Sequence, residues 1–372
     1  MEFRDLKKQY KQNQESINRA IQEVLSETNF IGGKQVSELE KRLAIYVGTK
    51  HCIACANGTD ALQLALMTWN IGVGDAVFVP DFTFFSTAEV VALVGATPIF
   101  VDIDEETFNI SPESLEEAIK IVEKEGFLQP KVVIAVDLFG QPADYDRIKP
   151  IVASHHMKLI EDGAQGFGGN IRGIRNCSFG DISTTSFFPA KPLGCYGDGG
   201  AIFTDNDQWA ELLRSYRVHG KGADKYDNVR IGLNSRLDTL QASVLKVKLD
   251  IFEAYELDAV NNVAAEYTKS LRNTIKTPVI LPNFVSSWAQ YSILCRDSVH
   301  RDEVQKTLKE EGIPSMIYYR SPMHKQKAFY GLKHTCPVQL EATTSVCGRI
   351  LSLPMHPYLE KDEIRKIANI IQ

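Results

Sequence analysis

The chain lacks the features that would direct it to a membrane, to nucleic acid or to an oxidising compartment. Its longest apolar runs, such as residues 132–136, fall far short of the roughly 20 residues a spanning helix needs. Positive charge is not in excess. The 41 Lys and Arg against 47 Asp and Glu leave a net charge of −6, which gives no electrostatic reason to expect a nucleic-acid partner. Its start, Glu2-Phe3-Arg4-Asp5-Leu6-Lys7-Lys8, carries charges where a signal peptide would carry its apolar stretch. The expected location is therefore cytoplasmic.

There is no cysteine framework either. Seven cysteines are an odd number, scattered through a chain long enough to need no staples, and this usage fits a reducing compartment. Cys52 and Cys55 have C-x-x-C spacing. No second pair or histidine cluster completes a metal site around them, so they are read as small buried residues of a strand, and no metal is expected. Repeats and low-complexity linkers are absent as well. At 372 residues the chain has a comfortable length for two domains.

The order of its segments says more. Ile17, Ala20, Ile21, Val24 and Leu25 share one helical face, predicting an amphipathic helix over 12–26 that Gly32-Gly33 stops. A second helical period follows around Val36, Leu39, Leu43 and Val47. Short apolar strands are then expected at 76–79, 98–101, 132–137, 158–161, 181–186 and 201–204, with helices near 61–69, 86–93, 112–124 and 144–155 between them. This alternation predicts an α/β fold with a largely parallel sheet between helices, in which ligands collect where strands end. After about residue 245 the texture changes. A long helix over 240–267, a strand at 291–295 and helices near 302–311 and 361–371 predict a smaller C-terminal α/β domain. The expected division is 1–245 and 246–372.

Four segments carry candidate chemistry. Lys191 is boxed between Pro189-Ala190 and Pro192, after Ser186-Phe187-Phe188, and is followed by Gly194, Gly197, Gly199 and Gly200: a shaped loop after a strand. An isolated lysine is usually a solvated surface charge. Asp162 ends the apolar strand before Gly163-Ala164-Gln165. A buried acid there could hold the proton of a pyridine nitrogen, or it could cap a helix. Asn57-Gly58-Thr59-Asp60 enters a helix, and the free N–H groups of such a turn suit a phosphate as well as a plain cap. Phe82, Phe84 and Phe85 follow a strand, where an aromatic ring can stack on a flat cofactor or pack in the core. Together the four supply what a pyridoxal-phosphate site requires: a Schiff-base lysine, a ring acid, a phosphate cup and a stacking plate.

These motifs, with residues 3–6, 234–241 and 352–357, span essentially the whole chain. They resemble the DegT/DnrJ/EryC1/StrS family of pyridoxal-phosphate (PLP) sugar aminotransferases. The resemblance implies the fold-type-I architecture of aspartate aminotransferase, a large cofactor-binding domain over 1–245, and a homodimer with active sites at its interface. It implies that Lys191 carries pyridoxal 5′-phosphate covalently and moves the proton during transfer. Asp162 would pair with the ring nitrogen, Gln165 with the ring hydroxyl, and Phe84 would stack on the ring. Thr59, Ser186, the backbone around Gly58 and Asp60, and Asn234 of a partner subunit would hold the phosphate. Arg236 would take a substrate carboxylate or else form a structural ion pair.

In the implied reaction L-glutamate leaves its amine as pyridoxamine phosphate and departs as 2-oxoglutarate. A UDP- or dTDP-linked keto-sugar of surface-polysaccharide biosynthesis, including lipopolysaccharide, then receives the amine. Leu193-Gly194-Cys195-Tyr196-Gly197-Asp198-Gly199-Gly200 resembles the C3-keto branch, above all the aminotransferases of UDP-2-acetamido-3-keto-glucuronate. That group reads His-Tyr-Pro in the small domain where this chain has Tyr318-Tyr319-Arg320. Tyr318, Tyr319 and Arg320 are thus expected near the sugar, with uronate and neutral 3-keto sugars both open. A C4-keto aminotransferase is the nearest rival. A related sugar dehydratase would carry histidine in place of Lys191, and a non-catalytic regulatory protein would be expected to lose Lys191 or Asp162.

Overall fold

A computed structural model describes residues 1–224 and 226–371. Two helices open it, α1 (Leu6–Glu27) and α2 (Lys34–Val47). The helical face predicted around Ile17 and Val24 is buried. The helix starts six residues earlier than expected, because Asp5 caps it by accepting from the Lys8 N–H at 2.7 Å. It ends at Glu27, one residue past the expected end, but Gly32-Gly33 do not stop it. Thr28 takes the left-handed conformation that closes α1, while Gly33 is the N-cap of α2, where a side chain would collide with Thr239.

Next come β1 (His51–Cys55), α3 (Gly58–Thr68), β2 (Asp75–Pro80), α4 (Ser86–Leu93), β3 (Thr97–Val101) and α5 (Pro112–Glu125). They are followed by β4 (Gln129–Val136), α6 (Tyr145–Ser154) and β5 (Lys158–Asp162). Two short strands, β6 (Asn170–Ile171) and β7 (Ile174–Arg175), precede β8 (Ile182–Ser186), β9 (Gly200–Thr204) and α7 (Asp207–Tyr216). Strong local signals set several of these boundaries. In α5, Ser111 caps the N–H of Ser114, Pro112 occupies the first turn, and Gly126 closes the end at a φ of 69°.

The large sheet has seven strands in the order β1-β9-β8-β5-β4-β2-β3. β3, β2, β4, β5 and β8 run parallel, while β9 is antiparallel to both of its neighbours, β8 and β1. The sheet is therefore mainly parallel but mixed, as fold type I requires. Opposite faces of β1 serve different cores. Cys52 packs with Leu39 and Leu43, whereas Cys55 packs with Leu62 and Ile202. Residues three apart on a strand point to opposite faces, so this C-x-x-C pair cannot converge, and both thiols are free and buried.

The chain continues through α8 (Thr239–Ile251), a π-helical turn (Phe252–Glu256) and α9 (Leu257–Leu271), which together form the long helix expected there. Then come β10 (Phe284–Val285), β11 (Tyr291–Leu294), α10 (Ser298–Glu310), α11 (Glu341–Arg349), β12 (Ile350–Leu353) and α12 (Lys361–Ile371). α7, α11 and β12 lay outside the sequence expectation. A second core gathers Val260, Tyr267, Tyr291, Leu308, Leu351 and Ile367 around the antiparallel β11–β12 pair. Met323 and Phe329, though late in the chain, are buried in the core of the large sheet instead. Among the described residues, no helix is long and apolar enough to cross a membrane.

Candidate active site

The motif residues meet at one edge of the large sheet, where the parallel strands β2, β4, β5 and β8 end. This is the edge at which open α/β sheets bind ligands. Hydrogen-bond register sets the spacing: Val136 lies opposite Asp162, Asp162 opposite Thr184, and Ser186 opposite Gly200, which also faces Cys55.

Strand alternation separates two adjacent acids, Glu161 and Asp162. Glu161 is fully buried and accepts from the Phe179 N–H and the Ser183 hydroxyl, each at 2.7 Å, in a structural role. Asp162 ends the strand facing the site. No helix follows it, so the capping alternative does not apply. One carboxylate oxygen accepts from the Thr87 hydroxyl at 2.9 Å, and the other from the Ala164 N–H at 3.2 Å. Burial raises its pKa, while those two hydrogen bonds and the positive charge of Lys191 pull it back down. Thr83 pairs with Thr87 at 3.0 Å and completes the support.

Lys191 lies on the loop between β8 and β9. The loop folds tightly on itself: the Phe187 N–H reaches Gly199 O, and the Cys195 N–H reaches Phe187 O, both at 2.7 Å. A side chain at position 194 would meet the carbonyls of Phe188 and Pro189 at 2.6 Å. Cys195 is buried and donates to Phe187 O at 3.0 Å; burial pushes its thiol pKa up to about 11, so it is packed rather than poised to react. Among the described residues, nothing accepts a hydrogen bond from the Lys191 ammonium. Desolvation draws its pKa down to about 8 despite the opposing attraction of Asp162.

Gly58, Thr59 and Asp60 form the first turn of α3. Asn57 caps the helix by accepting from the Asp60 N–H at 2.8 Å. The N–H groups of Gly58 and Thr59 have no acceptor among the described residues, which leaves them free for an anion. Gly58 packs directly on Ser186, since a Cβ there would lie 2.8 Å from the serine Cβ. The helix N-terminus and the hydroxyl of Ser186 thus share one cradle.

The aromatic segment divides as its two readings did. Phe82 is core, and Phe84 is 53% exposed, 6.4 Å from the ring of Tyr319. The Gln165 carbonyl accepts from the Phe139 N–H at 2.8 Å, and its amide donates to the Tyr319 hydroxyl at 3.1 Å. Tyr318 is half-buried and packs edge-on against Phe3 at 6.2 Å. Asn234, Arg236 and Arg320 are exposed, and their side chains make no hydrogen bond or ion pair among the described residues.

The assembled groups fit pyridoxal phosphate on this geometry. An amine of lowered pKa without a hydrogen-bond partner lies near a buried carboxylate, a helix N-terminus offers free N–H donors, and Phe84 presents an open aromatic face. Sequence reasoning missed Thr87 and Thr83. Their hydroxyls are recognisable as carboxylate partners only once α4 is docked beside β5.

Comparison with known proteins agrees with the fold and with the pyridoxal-phosphate reading. The sequence model described as the DegT/DnrJ/EryC1/StrS aminotransferase family matches residues 11–372. The chain is 46% identical over 369 residues to the UDP-2-acetamido-2-deoxy-3-oxo-D-glucuronate aminotransferase of Pseudomonas aeruginosa, covering 99% of this chain and 98% of that protein. A DegT/DnrJ/EryC1/StrS aminotransferase from Brucella abortus superposes with a TM-score of 0.96 at 50% identity, covering 100% of this chain and 98% of the other. The NtdA protein of Bacillus subtilis, solved with the bound cofactor PMP (pyridoxamine phosphate), superposes with a TM-score of 0.86 at 30% identity, covering 97% and 82%.

Proposed function

The chain belongs to the DegT/DnrJ/EryC1/StrS aminotransferase family, and from that premise we propose that it moves the amino group of L-glutamate to the C3 keto group of a nucleotide-linked sugar. It is a pyridoxal-phosphate aminotransferase of fold type I. The observation that carries the reading is the convergence, where β5 and β8 end, of the Lys191 loop, the buried Asp162 braced by Thr87, and the open N–H groups of Gly58 and Thr59 beside Ser186. The C3 assignment is supported by the loop at 193–200 and by the relative that acts on a 3-oxo uronate. The most economical substrate is a UDP-linked 3-keto sugar that leads to a surface polysaccharide.

When bound, pyridoxal phosphate supplies the electron sink that acidifies the donor Cα–H and carries the amino group between two half-reactions. Lys191 holds it through Nζ. While substrate occupies the site, the free Lys191 amine would take the proton from Cα of glutamate and pass it to the cofactor side, and in the second half-reaction it would carry a proton back from there to C3 of the sugar. A lowered pKa suits this exchange, because an amine near neutrality both accepts and gives up protons. Asp162, oriented by Thr87, keeps the ring nitrogen protonated. The N–H groups of Gly58 and Thr59, with Ser186, hold the phosphate; Phe84 covers the ring; and Gln165 holds its hydroxyl.

Among the described residues the side chains of Asn234 and Arg236 make no hydrogen bond or ion pair, which supports a homodimer in which they reach the neighbouring site, Asn234 for phosphate and Arg236 for the carboxylate of glutamate. Tyr318, Tyr319 and Arg320 line the sugar side. Residues 1–245 would form the cofactor-binding domain and residues 246–372 the smaller one, in a cytoplasmic enzyme. Lys191→Ala is expected to lose more than about 10³-fold in turnover while keeping its dimer and non-covalent cofactor binding. An active Lys191→Ala enzyme would overturn the assignment.

A further inference from the structure

The Lys191 loop is held from outside by the start of the chain. Arg4 lies two residues before α1, where the Leu6 N–H turns back to its carbonyl at 3.1 Å and Asp5 caps the helix. Its guanidinium donates through Nη2 to Lys191 O at 2.9 Å and reaches Pro192 O at 3.4 Å. Within the loop, Lys191 is fastened by a single turn, its own N–H to Phe188 O at 2.8 Å. Among the described residues, nothing other than Arg4 binds the Lys191 carbonyl.

The residues around Arg4 are built to keep it in place. Glu256 ends the π-helical turn between α8 and α9, is almost fully buried, and supplies the strongest opposing charge that Arg4 feels. π-turns inside α-helices are rare and concentrate at functional sites. The Glu256 carboxylate is fixed by the Tyr358 hydroxyl at 2.6 Å and the Gln9 amide at 2.7 Å. On the other side of Arg4, Phe3 O accepts from the Met355 N–H at 3.0 Å, and the Phe3 ring packs on Tyr318. Lys8 reaches Tyr358 O at 3.1 Å. Residues 3–9 therefore strap the lysine loop to the end of β12 and to the turn at Tyr318-Tyr319.

We propose that Arg4 is a positioning residue for Lys191, fixing the lysine backbone against the small-domain core so that the amine returns to one place after each exchange. The inference rests on the reading of Lys191 as the cofactor lysine. One guanidinium nitrogen shared between two successive carbonyls is a charge-assisted contact that restrains the segment. Small displacements of a reacting group are enough to cost much of a rate. The positive charge of Arg4 also adds to desolvation in holding the Lys191 amine down.

The test uses full-length protein stripped of cofactor. Pyridoxal phosphate is added, and the visible band of the lysine-bound cofactor is followed at several pH values in wild type, Arg4→Met, Arg4→Lys and a chain lacking residues 1–4. With Arg4→Met, attachment is expected to slow about ten- to a hundredfold, the range for losing a charge-assisted contact at a reacting group. Its pH midpoint should rise, and kcat should fall with KM for glutamate within about twofold, with Arg4→Lys recovering part of the loss. If Arg4→Met does not fold, Arg4→Lys and the truncated chain carry the same readouts. An attachment rate within about twofold of wild type, with the pH midpoint unshifted, would overturn the proposal while leaving the aminotransferase reading intact. A wild-type protein that never develops the band would overturn both.

Discussion

Gln165 and Tyr319, 154 residues apart in sequence, are joined by a hydrogen bond of 3.1 Å from the glutamine amide to the tyrosine hydroxyl. The bond ties the turn after β5 to the segment that carries Tyr318 and Arg320, the residues proposed to face the sugar. Because the Gln165 carbonyl is committed to the Phe139 N–H, its orientation is fixed from both ends. Tyr319→Phe removes one end only. Turnover is expected to fall about three- to tenfold, the net value of one neutral hydrogen bond, with little change in melting temperature. Steady-state kinetics and a thermal melt read the two together.

Thr87 and Asp162 give a graded pair. Asp162→Asn removes the charge that holds the ring proton, so a loss of about 10²- to 10⁴-fold in kcat is expected. Thr87→Val keeps the carboxylate but frees one of its oxygens, and about tenfold is expected. Parallel kinetics on the two variants check the order; equal losses would contradict a supporting role for Thr87.

The lowered pKa of Lys191 sets a pH dependence. Burial disfavours its charged form, so below about 8 the site holds an ammonium and above it a free amine. Only the free amine attacks an aldehyde. The rate at which cofactor-free protein attaches pyridoxal phosphate should therefore rise with pH through about 8 and then level off. The sign for stability is the same. An unfolded lysine binds its proton up to its ordinary value near 10.5, so this group favours the fold increasingly as pH rises from about 8 toward that value. Stopped-flow absorbance across this range, with Lys191→Ala as the control, provides the check.

Gly200→Ala tests the cradle by crowding it from the neighbouring strand, leaving the residues that supply its donors unsubstituted. A Cβ there would lie 2.5 Å from the carbonyl oxygen of Asn57, a backbone atom with no room to retreat. Overpacking of this kind costs about 1–3 kcal/mol. Displacing Asn57 also shifts the first turn of α3, so affinity for pyridoxal phosphate should fall along with the melting temperature. Calorimetric titration and a denaturation curve measure the two effects separately.

The parts of this architecture that depend on local order were legible in the sequence. Alternating apolar strands and capped helices over 58–162 announce the parallel sheet, and the helical face at Ile364, Ile367 and Ile371 announces α12. Lys191 and Asp162 stood out because proline, glycine and strand-end context are local signals. What depends on long-range packing was hidden. β12 is a four-residue strand buried throughout, paired with β11 and bridged at Ser352 to Met316, so its short run carries no apolar alternation of its own. The partner of the Asp162 carboxylate lies 75 residues away on α4, and Arg4 reaches across 187 residues to the Lys191 carbonyl. The resemblance included the Phe3-Arg4-Asp5-Leu6 segment but gave no role to its arginine. That role emerges only once the lysine loop, the π-turn and the chain start occupy the same volume.

The central claim is tested most directly by a two-step absorbance titration of the purified holoenzyme. L-Glutamate should abolish the visible band of the lysine-bound cofactor, and a 3-keto nucleotide sugar generated in situ should restore it, with uronate and neutral sugars compared side by side. Recovery with 4-keto sugars alone would contradict the C3 assignment while preserving the cofactor chemistry. A band indifferent to glutamate would contradict the account at its root.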